Sequence, residues 1–130
     1  MAMADRADRH YVVCNDLMET DPGPLVTNAL VLAESAYMLR RGLGGHAELA
    51  LLEMVTDGSV TVESLTPDDW TRVSELVAGY DDLGLGTTDA SIVAMAERMK
   101  ATRIATLDRA HFRVVRPKHV DAFELLPELR

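Results

Sequence analysis

The sequence holds one cysteine, Cys14, so it can build neither an internal disulfide framework nor a cysteine-based zinc site. Long apolar runs are also missing: strongly apolar stretches reach only five residues, as at Ala29–Ala33, which excludes a transmembrane helix. The N-terminus, Met-Ala-Met-Ala-Asp-Arg-Ala-Asp, lacks the positive-then-apolar layout of a signal peptide. The expectation from these absences is a cytoplasmic protein that does not meet membranes. His10, His46 and His119 show no ligand spacing, and no Ser-His-Asp order sits in an activating context. Gly84-Leu85-Gly86-Thr87-Thr88-Asp89 ends in an acid rather than a glycine, so it is no dinucleotide fingerprint. It has no Lys-Ser/Thr pair for a phosphate loop either.

What is present fits one globular domain over residues 1–130, with 48% hydrophobic and 26% charged residues. Net charge is −8, which argues against a basic nucleic-acid coat over the whole chain. The charge is uneven. Between Arg98 and Lys118 stand seven basic residues and one acid, Asp108, so that segment is +6 and the remainder −14. It reads either as a solvated basic face or as a local stripe for phosphate contact.

Periodicity predicts a helix over Asp5–Glu19, broken by Asp21-Pro22-Gly23-Pro24. Leu25 and Val26 suit a very short buried strand. Thr27 or Asn28 then caps a helix that ends before Gly42, and another runs from Gly44-Gly45 to Val55. Ser59–Glu63 alternates as a strand. Thr66-Pro67-Asp68-Asp69 is a helix start, with a capping hydroxyl, a first-turn proline and two acids at the positive end of the dipole. Thr87 or Thr88 caps a helix to about Lys100. Strands are expected over Arg103–Leu107, Arg113–Val115 and Phe123–Leu126. Strands alternating with helices indicate an α/β domain with a mainly parallel sheet. Cys14 and Trp70 read as packing residues, and His111 as a turn residue.

Three carboxylates stand out. Glu34 shares a helix face with Leu30, Val31, Tyr37 and Met38, on a helix apolar nearly all round and so expected to be buried. A carboxylate there needs a compensating partner, an arginine such as Arg40 or Arg41, or a cation. Asp89 lies in a first helical turn, where an acid suits the dipole, yet it shares the inward face with Ile92, Val93 and Ala96. Asp108 follows the strand Arg103–Leu107, at the carboxyl end where ligands of open α/β sheets gather. Acids from three separate elements that converge at one sheet edge repel unless a divalent cation neutralises them. Oxygen-only ligands favour Mg²⁺ or Mn²⁺ over Zn²⁺, and such ions support phosphodiester hydrolysis.

At these residues the chain resembles the PIN-domain family and, within it, the VapC-like ribonuclease toxins of bacterial toxin–antitoxin pairs. Three blocks carry the likeness. They are Val31-Leu32-Ala33-Glu34, Thr88-Asp89-Ala90-Ser91-Ile92-Val93-Ala94 with Ala96-Glu97-Arg98 after it, and Ile104-Ala105-Thr106-Leu107-Asp108-Arg109 followed by His111-Phe112 and Val114-Val115-Arg116-Pro117. The resemblance implies a parallel sheet flanked by helices. It implies Glu34, Asp89 and Asp108 as ligands of Mg²⁺ or Mn²⁺ that position a hydrolytic water, with the Thr106 hydroxyl supporting the site. It further implies an RNA substrate, a homodimer and a cognate antitoxin protein. Charge suggests Arg109, Arg113 and Arg116 as phosphate contacts.

The chain departs from the family at its start. The family's first acid ends an N-terminal apolar strand that is central in the sheet, and no such strand precedes the helix at Asp5–Glu19. Asp5 and Asp8 read as helix-start acids rather than replacements. The expectation is therefore a PIN-like domain without its first strand and first acid. Weak metal binding would survive that loss, because Mg²⁺ often uses only one or two carboxylates, but catalysis would fall. The alternative function is a catalytically impaired module that dimerises and binds an antitoxin without cleaving RNA.

Overall fold

The computed structural model describes residues 25–105, 112 and 114–126. The chain forms two compact units that divide between Ser64 and Leu65. The helix expected over Asp5–Glu19, with Cys14, lies outside the described residues, as do Thr106, Asp108, Arg109, His111 and Arg113.

In the first unit, β1 (Leu25–Thr27) leads into α1 (Ala29–Leu43), α2 (Gly45–Thr56) and β2 (Val60–Val62). Asn28 starts α1: its backbone is extended and its side-chain oxygen accepts the Val31 N–H at 3.1 Å. The helix ends one residue beyond Gly42, at Leu43, because Gly44 is the residue that takes positive φ, with φ 102° and ψ 176°. A single residue thus joins two helices that pack on each other, and Arg40 bridges the junction to Glu48 at 3.0 Å. β1 and β2 pair in parallel, Leu25 opposite Val60 and Thr27 opposite Val62, and the Glu63 N–H extends the ladder to the Thr27 carbonyl. Asp57 turns the chain into β2 by accepting both the backbone N–H and the hydroxyl of Ser59.

The second unit holds α3 (Pro67–Gly79), a single 3₁₀ turn (Asp81–Leu83), α4 (Thr87–Met99), β3 (Arg103–Ala105) and β4 (Glu124–Leu126). The expected start of α3 is realised as a full capping box. The Thr66 hydroxyl accepts the Asp69 N–H, and the Asp69 carboxylate accepts the Thr66 N–H. β3 and β4 are parallel, with Arg103 opposite Glu124 and Ile104 opposite Leu125. The core gathers Leu76 of α3, Val93 of α4, Ile104, Phe112, Val115 and Leu125. Burying side chains of this size stabilises by roughly 1.5–3 kcal/mol each. Ala90, Ser91 and Ala94 are buried along α4, which packs on α3.

Both strand pairs are parallel and alternate with helices, so the α/β class is as expected. Three local expectations are corrected. α4 is capped by Gly86 without a side-chain bond, rather than by Thr87 or Thr88. Val114 and Val115 form no strand; Val114 has helical backbone and Val115 is irregular, with the latter buried against the core. Trp70 packs only in part, for it stands 45% exposed and outside the core. No helix among the described residues is long and apolar enough to cross a membrane.

Candidate active site

Glu34 lies in the second turn of α1, and its surroundings differ from the expectation. The helix is not buried. Ala36 is its one buried residue, while Tyr37 and Met38 are 59% and 54% exposed. The physical reason is neighbour number: an all-apolar helix is buried only when packed on every side, and among the described elements α1 packs chiefly on α2. Glu34 is itself exposed, so no desolvation penalty forces a partner on it. The two nearby arginines are engaged elsewhere. Arg40 pairs with Glu48, and Arg41 donates to the Tyr37 hydroxyl at 2.7 Å while lying over its ring.

Asp89 stands in the first turn of α4, half-buried, as the only acid there. Its face is the inward one: Val93 and Ala96 are buried, and Ile92 packs on the core. The helix dipole favours the charged carboxylate at this end. Ser91 fixes the local backbone by donating its hydroxyl to the Thr88 carbonyl at 2.6 Å. Asp108 and Thr106 lie just beyond β3, outside the described residues. Among the described residues no three histidine, cysteine or acidic side chains gather as a metal cage. Glu34 in the first unit and Asp89 in the second each offer carboxylate oxygen, the donor type that suits a hard divalent cation.

The basic segment is less uniform than its charge count suggests. Arg98 donates to the buried carboxylate of Asp69, Arg103 lies 3.6 Å from Glu124, and the Lys118 ammonium lies 3.8 Å from Glu75. Lys100 ends α4 in left-handed backbone. Arg116 remains an exposed member of the stripe.

Glu97, part of the Ala96-Glu97-Arg98 stretch of the family likeness, had no role of its own assigned from sequence, and the structure makes it a junction. Its side chain is 10% exposed and accepts Arg72 at 2.7 and 3.1 Å, together with the Lys118 N–H at 2.7 Å. Burial pushes the Glu97 carboxyl up, but these donors outweigh it and hold the group below the ordinary glutamate range. Tyr80 was passed over too; its hydroxyl accepts the Arg116 N–H at 2.9 Å. Both contacts join residues far apart in sequence, so no local spacing announces them.

The PIN domain family matches residues 2–117, and the chain belongs to that family. It is similar to ribonuclease VapC26 of Mycobacterium tuberculosis, with 28% identity over 127 residues that cover 98% of this chain and 94% of that protein. Its fold is similar to the crystal structure of Mycobacterium tuberculosis VapC20, a sarcin-ricin loop cleaving toxin. That likeness has a TM-score of 0.66 and 22% identity, over 78% of each chain.

Proposed function

We propose that this chain, as one PIN domain, is a metal-dependent endoribonuclease and the toxin of a type II toxin–antitoxin pair. The observation that carries the reading is the nearly end-to-end likeness to a VapC ribonuclease, in a chain matched to the PIN family over residues 2–117. Glu34, Asp89 and Asp108 would hold Mg²⁺ or Mn²⁺; their assignment rests on their match to the family's acidic positions and on an oxygen-only donor set. When bound, the cation activates water and stabilises the leaving oxygen of a phosphodiester. Asp89 stands at the helix N-terminus, where an acid suits the dipole, Thr106 supports the carboxylates by its hydroxyl, and Arg109, Arg113 and Arg116 meet RNA phosphate. The protein works in the cytoplasm as a homodimer restrained by a cognate antitoxin.

The test is cleavage of a mixed single-stranded RNA pool by the purified chain. Cleavage that needs added Mg²⁺ or Mn²⁺ and stops with a chelator is the expected result. Cleavage that persists in chelator overturns the metal assignment.

A further inference from the structure

Residues Val114–Lys118 read Val-Val-Arg-Pro-Lys, and their burial alternates. Val115 and Pro117 are buried, while Val114, Arg116 and Lys118 are exposed. Such alternation ordinarily marks a strand with one face on the core. Here Val115 to Lys118 belong to neither strand pair, so their backbone donors have no ladder to join. The unit supplies acceptors from side chains instead. The Arg116 N–H donates to the Tyr80 hydroxyl at 2.9 Å, and the Lys118 N–H donates to the Glu97 carboxylate at 2.7 Å. Pro117, between them, has no N–H to satisfy. Two side chains, one from the end of α3 and one from α4, therefore do what a neighbouring strand would do.

The clamp is itself held. Arg72 grips Glu97 through both carboxylate oxygens, and past Lys118 the His119 ring bonds the Ala101 carbonyl and tilts against Phe123. With Val115 and Pro117 pinned inward, Arg116 and Lys118 are left two residues apart on the outer side. The 3.8 Å contact of Lys118 with Glu75 is a weak, exposed surface pair that a phosphate can displace.

We infer that Tyr80 and Glu97 are positioning residues for RNA: by taking the N–H groups of Arg116 and Lys118 they hold these two cations side by side toward the phosphate backbone. The inference rests on the proposed ribonuclease function and names a surface for its substrate. Neither Tyr80 nor Glu97 touches RNA. Their effect comes from ordering the segment before binding, so that binding need not order it.

The experiment uses the full chain and a fluorescent mixed-sequence single-stranded RNA. Binding is measured in chelator over a range of salt, cleavage with Mn²⁺, and thermal stability in parallel. Tyr80→Phe removes one oxygen, and its expected result is affinity weaker by about threefold to tenfold, the scale of one hydrogen bond. KM rises accordingly, with kcat retained. Glu97→Ala weakens binding as well, and Glu97→Gln, which keeps an acceptor for the Lys118 N–H, recovers much of the loss. Arg116→Gln lowers the slope of log affinity against log salt by about 0.7, one phosphate contact on a single strand. Wild-type affinity in Tyr80→Phe alongside weakened Arg116→Gln overturns the positioning role and leaves the ribonuclease reading standing. Unchanged salt slopes in both Arg116→Gln and Lys118→Gln overturn the surface itself. A wild-type chain that neither binds nor cuts RNA overturns the proposed function beneath both.

Discussion

Arg98 places its Nε 3.1 and 2.9 Å from the two carboxylate oxygens of Asp69, so the residue that caps α3 is also the ion-pair partner of α4. Asp69 is 4% exposed and its carboxylate meets two donors, the Thr66 N–H and the Arg98 guanidinium. One acid thus fixes the start of one helix and the position of the next.

Asp69→Ala should lower unfolding stability by about 2–3 kcal/mol. Loss of the cap contributes about 1 kcal/mol, and the rest comes from losing the charged hydrogen bonds between Asp69 and Arg98. Asp69→Asn keeps a capping oxygen and loses the charge, so its loss is smaller. Urea unfolding of both variants orders them. Equal losses would contradict a separate capping contribution.

Glu97 makes stability depend on acid. Its folded carboxyl sits below the ordinary range because the Arg72 and Lys118 donors outweigh burial. A depressed acid stabilises the fold fully above its unfolded value, about 4.3, and that stability is lost as pH falls through the lower folded value. Wild type should therefore melt above Glu97→Gln at pH 7, with the gap closing below about pH 4.3. A gap that stays constant down to pH 3.5 would contradict the ion pair as its source.

Gly44, between α1 and α2, adopts φ 102° and ψ 176°, backbone that is essentially restricted to glycine. A Cβ there would also stand 3.4 Å from the His46 ring. Gly44→Ala should destabilise by about 1–3 kcal/mol, whereas Gly45→Ala, at ordinary φ, should cost less than about 1 kcal/mol. Paired denaturant melts of the two variants check this.

Legibility in the sequence followed the range of the physics involved. The Thr66-Pro67-Asp68-Asp69 start is local hydrogen bonding, and it formed as read. The parallel α/β class was visible in the alternation of short strands and helices. With Gly42, Gly44 and Gly45 in succession, no local rule says which takes positive φ, so the end of α1 fell one residue past the expected glycine. The strand expected at Arg113–Val115 shows a deeper limit. A strand and a loop laid on a core share the same alternation, and the acceptors that hold the following loop at Arg116 and Lys118, Tyr80 and Glu97, lie 36 and 21 residues away from them. Glu34 shows a third limit: apolar neighbours along a helix tell what it can bury, not what covers it. The inward face of Asp89 was legible because Val93 and Ala96 repeat with helical period and are buried.

The proposed function puts Asp89 in a metal-dependent ribonuclease site. Its most direct test is the rate of RNA cleavage in Mn²⁺ by the 130-residue chain beside its Asp89→Asn variant, with folding matched by thermal melt. Expected are cleavage by the wild-type chain and a loss on the order of a hundredfold or more in the variant, the scale of a positioned catalytic group. Cleavage undiminished in Asp89→Asn would contradict the site. A folded wild-type chain that binds an antitoxin and cuts no RNA would contradict the enzyme and leave a binding module in its place.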